Sequence, residues 1–106
     1  MSSQFCIVLT TVGSEQNKTK IIDAVLSHKL AACIQSMPIE SHYVWDDEVC
    51  CDRELLLIMK TTRSCYARLE QVIVESHEYE VPQVVQVPFV DGFNPYLTWI
   101  EENTRS

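Results

Sequence analysis

Between Ser41 and Thr62 the chain reads SHYVWDDEVCCDRELLLIMKTT, apolar at both ends around a charged middle that holds two cysteines. Tyr43 and Trp45 share one parity, so on an extended chain they face the same side of a sheet. Leu55 to Met59 is an unbroken apolar run, which suits a strand buried on both faces, with a buried helical turn as the competing assignment. Lys60-Thr61-Thr62 favours the strand, because threonine is branched at Cβ and prefers extended backbone. The stretch reads as a long β-hairpin turning near Cys50 to Arg53. A turn at Asp46 to Glu48 is the alternative, since no Asn-Gly or Asp-Gly pair marks the position.

The patterns around this hairpin alternate between extended and helical. Phe5 to Leu9 is a continuous apolar run ending in Thr10 and Thr11, as expected of a central strand. Ser14 is placed to cap a helix from Glu15 to about Lys29, with Ile21, Ile22, Val25 and Leu26 as its apolar stripe. Leu30 to Ile34 leads into a second strand, and Pro38 predicts an edge or a bulge there. Ser64 can cap a helix from Cys65 to about Ser76 that buries Tyr66, Leu69, Val72 and Ile73. Pro82 forbids further helix, and Val84, Val85 and Val87 form a fourth strand closed by Pro88. Asn94 and Pro95 open a last helix as cap and first residue. Its Tyr96, Leu97, Trp99 and Ile100 are more apolar than the end of a monomer needs. The order β-α-β-β-α-β plus a helix predicts an α+β, ferredoxin-like sandwich in one domain, residues 1–106.

Charge and composition narrow the function. The 106 residues carry a net charge of −7 with only eight basic side chains, all scattered. Phosphate backbones are repelled by such a surface, so no nucleic-acid partner is expected. No apolar run approaches the roughly 20 residues that span a bilayer, and no membrane partner is expected either. The opening MSSQFCIVLTT lacks a basic flank and a small-residue cleavage site, so a cytoplasmic location is predicted. Five cysteines, an odd number without framework spacing, read as reduced thiols.

Candidate chemistry is sparse. Adjacent residues on a strand point to opposite faces, so Cys50 and Cys51 share one ion only if they lie at a turn; inert thiols are the plainer expectation. No CxxC or His/Cys spacing supports structural zinc. Of His28, His42 and His77, the last is the candidate ligand, standing beside Glu78, Tyr79 and Glu80. His42 alternates with Tyr43 and belongs to the other hairpin face. With a turn at Cys51-Asp52, Lys60 comes opposite Tyr43 and Glu54 opposite Val49. Tyr43, Trp45, Glu54, Lys60 and His77 would then form a polar-aromatic pocket. No hydrolase, P-loop or dinucleotide motif is present, and two glycines cannot build a phosphate cradle. The loop Val12-Gly13-Ser14 also lacks the arginine that acylphosphatase uses on this fold. The expectation is a protein that is not an enzyme.

Lys29-Leu30-Ala31-Ala32-Cys33, Ser41-x-Tyr43-x-Trp45, Glu54, Lys60-Thr61-Thr62, His77-x-Tyr79-x-x-Pro82, Pro88, Gly92 and Tyr96-x-x-Trp99 together resemble the CutA family of divalent-cation tolerance proteins. The match runs from Val8 to Ile100. The resemblance implies a tight homotrimer in which sheet edges of neighbouring subunits pair, which also solves the liability of open edges. It implies tolerance of copper (Cu2+) and other divalent metal ions, direct copper binding in some members, and no established enzymatic activity. The metal ligands expected are His77 and Cys33, with Glu54 and Glu78 as further donors. Similarity to the PII signalling trimer offers another expectation: an intersubunit cleft with Tyr43, Trp45, Glu54 and Lys60 around a small anionic or organic ligand. An interaction scaffold is a third. The chain departs from the family pattern at Thr10, where some bacterial members have cysteine. It departs again at Asp46-Asp47, where glycine is usual, at Gln35 for asparagine, and in having only His77 of two histidines.

Overall fold

In the computed structural model, which describes residues 4–106, the chain runs β1 (Phe5–Val12), α1 (Glu15–Ser27), β2 (Cys33–Trp45), β3 (Glu48–Thr62), α2 (Tyr66–Ser76), β4 (Val85–Pro88) and α3 (Asn94–Glu102). The leader expectation rests in part on residues 1–3, which lie outside the described residues. The strands form one antiparallel sheet in the order β2-β3-β1-β4, the split β-α-β arrangement predicted.

Two periods meet in the core. Cys6, Val8, Thr10 and Val12 alternate along β1 onto one face and are fully buried, as are Leu57, Met59 and Thr61 across from them. Ile21 and Val25 of α1 and Leu69 and Ile73 of α2, at helical spacing, cover that face. The other face is left open. There Ile7 pairs with Lys60 and Val87, and Leu9 with Ile58 and Val85, while Val85 and Val87 remain 44% and 46% exposed.

The hairpin turns at Asp46-Asp47, the alternative position, and not near Cys50 to Arg53. Trp45 pairs with Glu48, and both aspartates adopt positive φ, 52° and 62°, the signature of a two-residue type I′ turn. Aspartate tolerates this left-handed backbone better than most side chains, so the turn forms without glycine. β2 is an edge strand, as Pro38 predicted, and its register continues through Pro38 opposite Leu55 without a bulge.

Helix ends also differ from expectation. α1 stops at Ser27, where Lys29 at φ 54° donates to the Leu26 carbonyl and Leu30 to that of Val25, a Schellman closure. Ser64 caps nothing. A 3-10 turn over Arg63–Cys65 precedes α2, and the Ser64 hydroxyl instead meets that of Thr62 at 3.0 Å. Asn94 is the first residue of α3 and Phe93 its cap, because the Phe93 carbonyl accepts from Tyr96 and Leu97.

Candidate functional site

Where the end of β1 meets the hairpin and the loop after α2, a cleft of about 600 Å³ opens, lined by Thr11, Tyr43, Trp45, Glu54, Glu78 and Tyr79 among others. The loop is pinned from α1. Asn17, 1% exposed, donates through Nδ2 to the Ser76 carbonyl at 2.9 Å and accepts from the Glu78 N–H at 3.3 Å. Ser14 caps α1 as predicted, accepting from the Asn17 N–H, and its hydroxyl also donates to Glu78. The helix cap and the cleft loop are thus one hydrogen-bonded unit.

His77 is consumed by that architecture. Its Nε2–H donates to the Thr11 carbonyl at 2.8 Å, and Nδ1 accepts from the Tyr79 N–H at 3.1 Å. These partners define the neutral tautomer with the proton on Nε2. Burial lowers its pKa below 6.5, outweighing the Thr11 carbonyl and the charges of Glu78 and Glu54. Both ring nitrogens are occupied, so His77 as placed offers a metal no lone pair, and the expected ligand becomes a positioning group for Tyr79. Their rings stand 4.9 Å apart.

Two phenol–carboxylate pairs furnish the cleft. The Tyr79 hydroxyl donates to Glu54 Oε2 at 2.6 Å, and burial, then that bond, raises the phenol above its ordinary range. Tyr43 donates to the Asp52 carboxylate, which pushes its phenol up to about 12. Gly13 makes the first pair possible: a Cβ there would stand 2.8 Å from the Tyr79 hydroxyl. Sequence reading placed Tyr43, Trp45 and Glu54 in one pocket and the structure does the same. It missed Asn17 and Gly13; an asparagine inside an apolar helical stripe was the available signal for the first.

Lys60 does not join them. The turn at Asp46-Asp47 sets Lys60 opposite Cys33 and Glu54 opposite Ile39. Six residues along β3 separate Lys60 from Glu54, about 20 Å at strand rise, and its ammonium donates to Gln35. Cys33 is also remote from His77. It lies in line with Lys60 and Ile7, four residues along β1 from Thr11, or about 13 Å. Cys33 neighbours Tyr96, whose phenol is raised by burial and by that thiol. Within one chain, Cys33 and His77 therefore do not share an ion. Cys50 and Cys51 do point to opposite faces of the hairpin, Cys50 paired with Tyr43 and Cys51 with His42.

A family model described as "CutA1 divalent ion tolerance protein" matches residues 6–103. The chain is 40% identical over 99 residues to the divalent-cation tolerance protein CutA of Thermus thermophilus, covering 92% of this chain and 96% of that one. Protein CutA, chloroplastic, of Arabidopsis thaliana is 38% identical over 94% of this chain, which spans 56% of the plant protein. The crystal structure of CutA1 from Shewanella sp. SIB1 superposes with a TM-score of 0.93 at 34% identity, covering 100% of both chains. No helix among the described residues is long and apolar enough to cross a membrane.

Proposed function

This chain belongs to the CutA1 divalent ion tolerance family, and we propose that it is a homotrimeric, non-enzymatic protein that binds a divalent metal, copper or a close analogue, in the cytoplasm. The observation that carries the assembly is the open sheet face. Ile7, Leu9, Ile39, Leu56 and Ile58 are only partly covered, and Val85 and Val87 are half-exposed beside them. A contiguous apolar face of this kind marks an interface. The edge strands β2 and β4 add unpaired backbone donors and acceptors that a ring of subunits satisfies. The family description and the net charge of −7 support a cationic ligand.

The test is calorimetric titration of the reduced, anaerobic protein with copper and zinc, with the mass fixed by light scattering in the same sample. A mass near three times 12.2 kDa and saturable metal binding at fixed stoichiometry are expected. A monomer overturns the assembly, and absence of saturable heat overturns metal binding.

The aromatic wall of the cleft favours a second reading, a PII-like sensor of a small organic ligand. Trp45, 49% exposed beside Tyr43, is placed to stack on a planar group. Ligand-dependent quenching of tryptophan fluorescence that survives a chelator and vanishes in Trp45→Ala distinguishes it from metal binding.

A further inference from the structure

At the rim of the cleft, which His42 also lines, Glu40, His42 and Cys51 bring a carboxylate oxygen, an imidazole nitrogen and a thiol sulfur within 4.8 Å of one another. We propose that these three side chains form a binding site for a thiophilic divalent ion of the zinc type. The proposal deepens the metal-binding reading above and rests on it, giving it a ligand set in place of His77 and Cys33.

The register assembles the site. Because the chain turns at Asp46-Asp47, His42 lies directly opposite Cys51, and Glu40, two residues earlier on β2, shares their face. His42 Nε2 stands 3.8 Å from Cys51 Sγ and 2.8 Å from Glu40 Oε1. A tetrahedral ion bonded at about 2.0–2.1 Å to nitrogen and about 2.3 Å to sulfur holds those two atoms about 3.6 Å apart. The imidazole and thiol are therefore already at the span that such an ion requires. The same geometry separates nitrogen from a carboxylate oxygen by about 3.4 Å, so Glu40 need only swing back from its hydrogen bond. That carboxylate is engaged by His42 although Arg53 stands opposite Glu40.

The donor chemistry selects the ion. Sulfur, imidazole and carboxylate are the ligand types zinc takes, and one thiolate disfavours magnesium and calcium, which demand oxygen. On binding, Cys51 gives its thiol proton to solvent and the thiolate bonds the metal. The imidazole moves its proton from Nε2 to Nδ1, freeing the Nε2 lone pair, and Glu40 exchanges its hydrogen bond for coordination. One proton leaves per ion. Thiolate and carboxylate together balance the 2+ charge, and water fills the fourth position on this exposed face.

The experiment titrates the reduced 106-residue chain with zinc, and with cobalt(II) as the spectroscopic probe, in buffers of differing ionisation heat. One ion per chain, one proton released and a thiolate-to-cobalt charge-transfer band are expected. Cys51→Ser abolishes the band and weakens zinc binding by at least about 100-fold, more than loss of an outer-shell partner does. His42→Ala weakens it comparably, and Cys50→Ser, whose side chain lies on the other face, leaves band and affinity unchanged. A band that persists in Cys51→Ser, or that disappears in Cys50→Ser, overturns the site. Zinc bound without any thiolate band overturns this ligand set while metal binding itself stands. No binding of zinc or cobalt(II) here, with none of copper in the calorimetric titration above, removes both.

Discussion

The Tyr79 hydroxyl meets the Glu54 carboxylate at 2.6 Å across 25 positions of sequence, directly above Gly13. Three separate parts of the chain, the end of β1, the hairpin and the loop after α2, are locked to one another at that point. The missing Cβ of Gly13 is what lets the phenol reach Glu54.

Gly13→Ala tests this lock. The added Cβ, 2.8 Å from the phenol oxygen, must push Tyr79 away from Glu54. With the carboxylate withdrawn, the raised titration of Tyr79 moves down toward the ordinary value near 10, and its burial keeps part of the rise. Ultraviolet titration against Tyr79→Phe, which lacks the step, isolates the signal. An unmoved step in Gly13→Ala would mean that the glycine is incidental.

Asn17→Ala should cost about 2–4 kcal/mol, because the Ser76 carbonyl and the Glu78 N–H each lose a partner that water replaces poorly. Denaturant unfolding measures the loss. Hydrogen exchange should place the local loosening at residues 76–79. A loss below about 0.5 kcal/mol would count against the pin.

His77 predicts a pH dependence of defined sign. Its folded pKa lies below 6.5, so below pH 6.5 the unfolded chain takes up a proton that the native imidazole resists. Its contribution is fully present above that pH and is lost as pH falls toward the folded pKa. Glu78 and Glu54 face the ring and oppose the shift without reversing it. The difference in unfolding free energy between wild type and His77→Gln should shrink between pH 7 and pH 5. A difference that grows on acidification would reverse the sign assigned here.

Thr10 offers a stabilising change. Its Oγ1 is buried and has no hydrogen-bond partner among the described residues. Thr10→Val replaces an unsatisfied hydroxyl with a methyl group of similar shape and should raise stability by about 1 kcal/mol. Thermal unfolding reads this as a higher Tm; a lower one points to a partner for the hydroxyl.

Asp47→Gly checks the hairpin turn. Glycine holds positive φ without the steric cost of a side chain, so the change should stabilise the type I′ turn by about 0.5–1 kcal/mol. Asp52→Gly, in the middle of β3, should do the opposite. The reverse ranking in denaturant melts would place the turn near Cys50 to Arg53.

Element types were readable because each rests on a local period. Val8, Thr10 and Val12 alternate and Ile21 and Val25 recur helically whatever they pack against. Clustering Tyr43, Trp45 and Glu54 was readable too, since Tyr43 and Trp45 share one parity and either turn position sets even-numbered residues of the facing strand, Glu54 among them, on the same face. The partners of Lys60 were not readable, because they depend on the position of the turn. His77 reads as a ligand because sequence shows its acidic neighbours and conceals the Thr11 carbonyl, 66 positions away, that occupies its ring.

By itself the sequence determined the order β-α-β-β-α-β-α, the antiparallel hairpin and the resemblance to one family, all carried by short-range periodicity and residue identity. Tertiary structure decided which side chains meet. Moving the turn from Cys51-Asp52 to Asp46-Asp47 took Lys60 out of the cleft and set His42 against Cys51. Neither turn contains glycine, and locally Asp46-Asp47 has the advantage, because aspartate tolerates positive φ better than the cysteine of Cys51-Asp52 would. That local bias alone did not make the turn legible. The choice fell to the whole ladder of β2 on β3, from Cys33–Lys60 to Trp45–Glu48, in which every cross-strand pair weighs on one register.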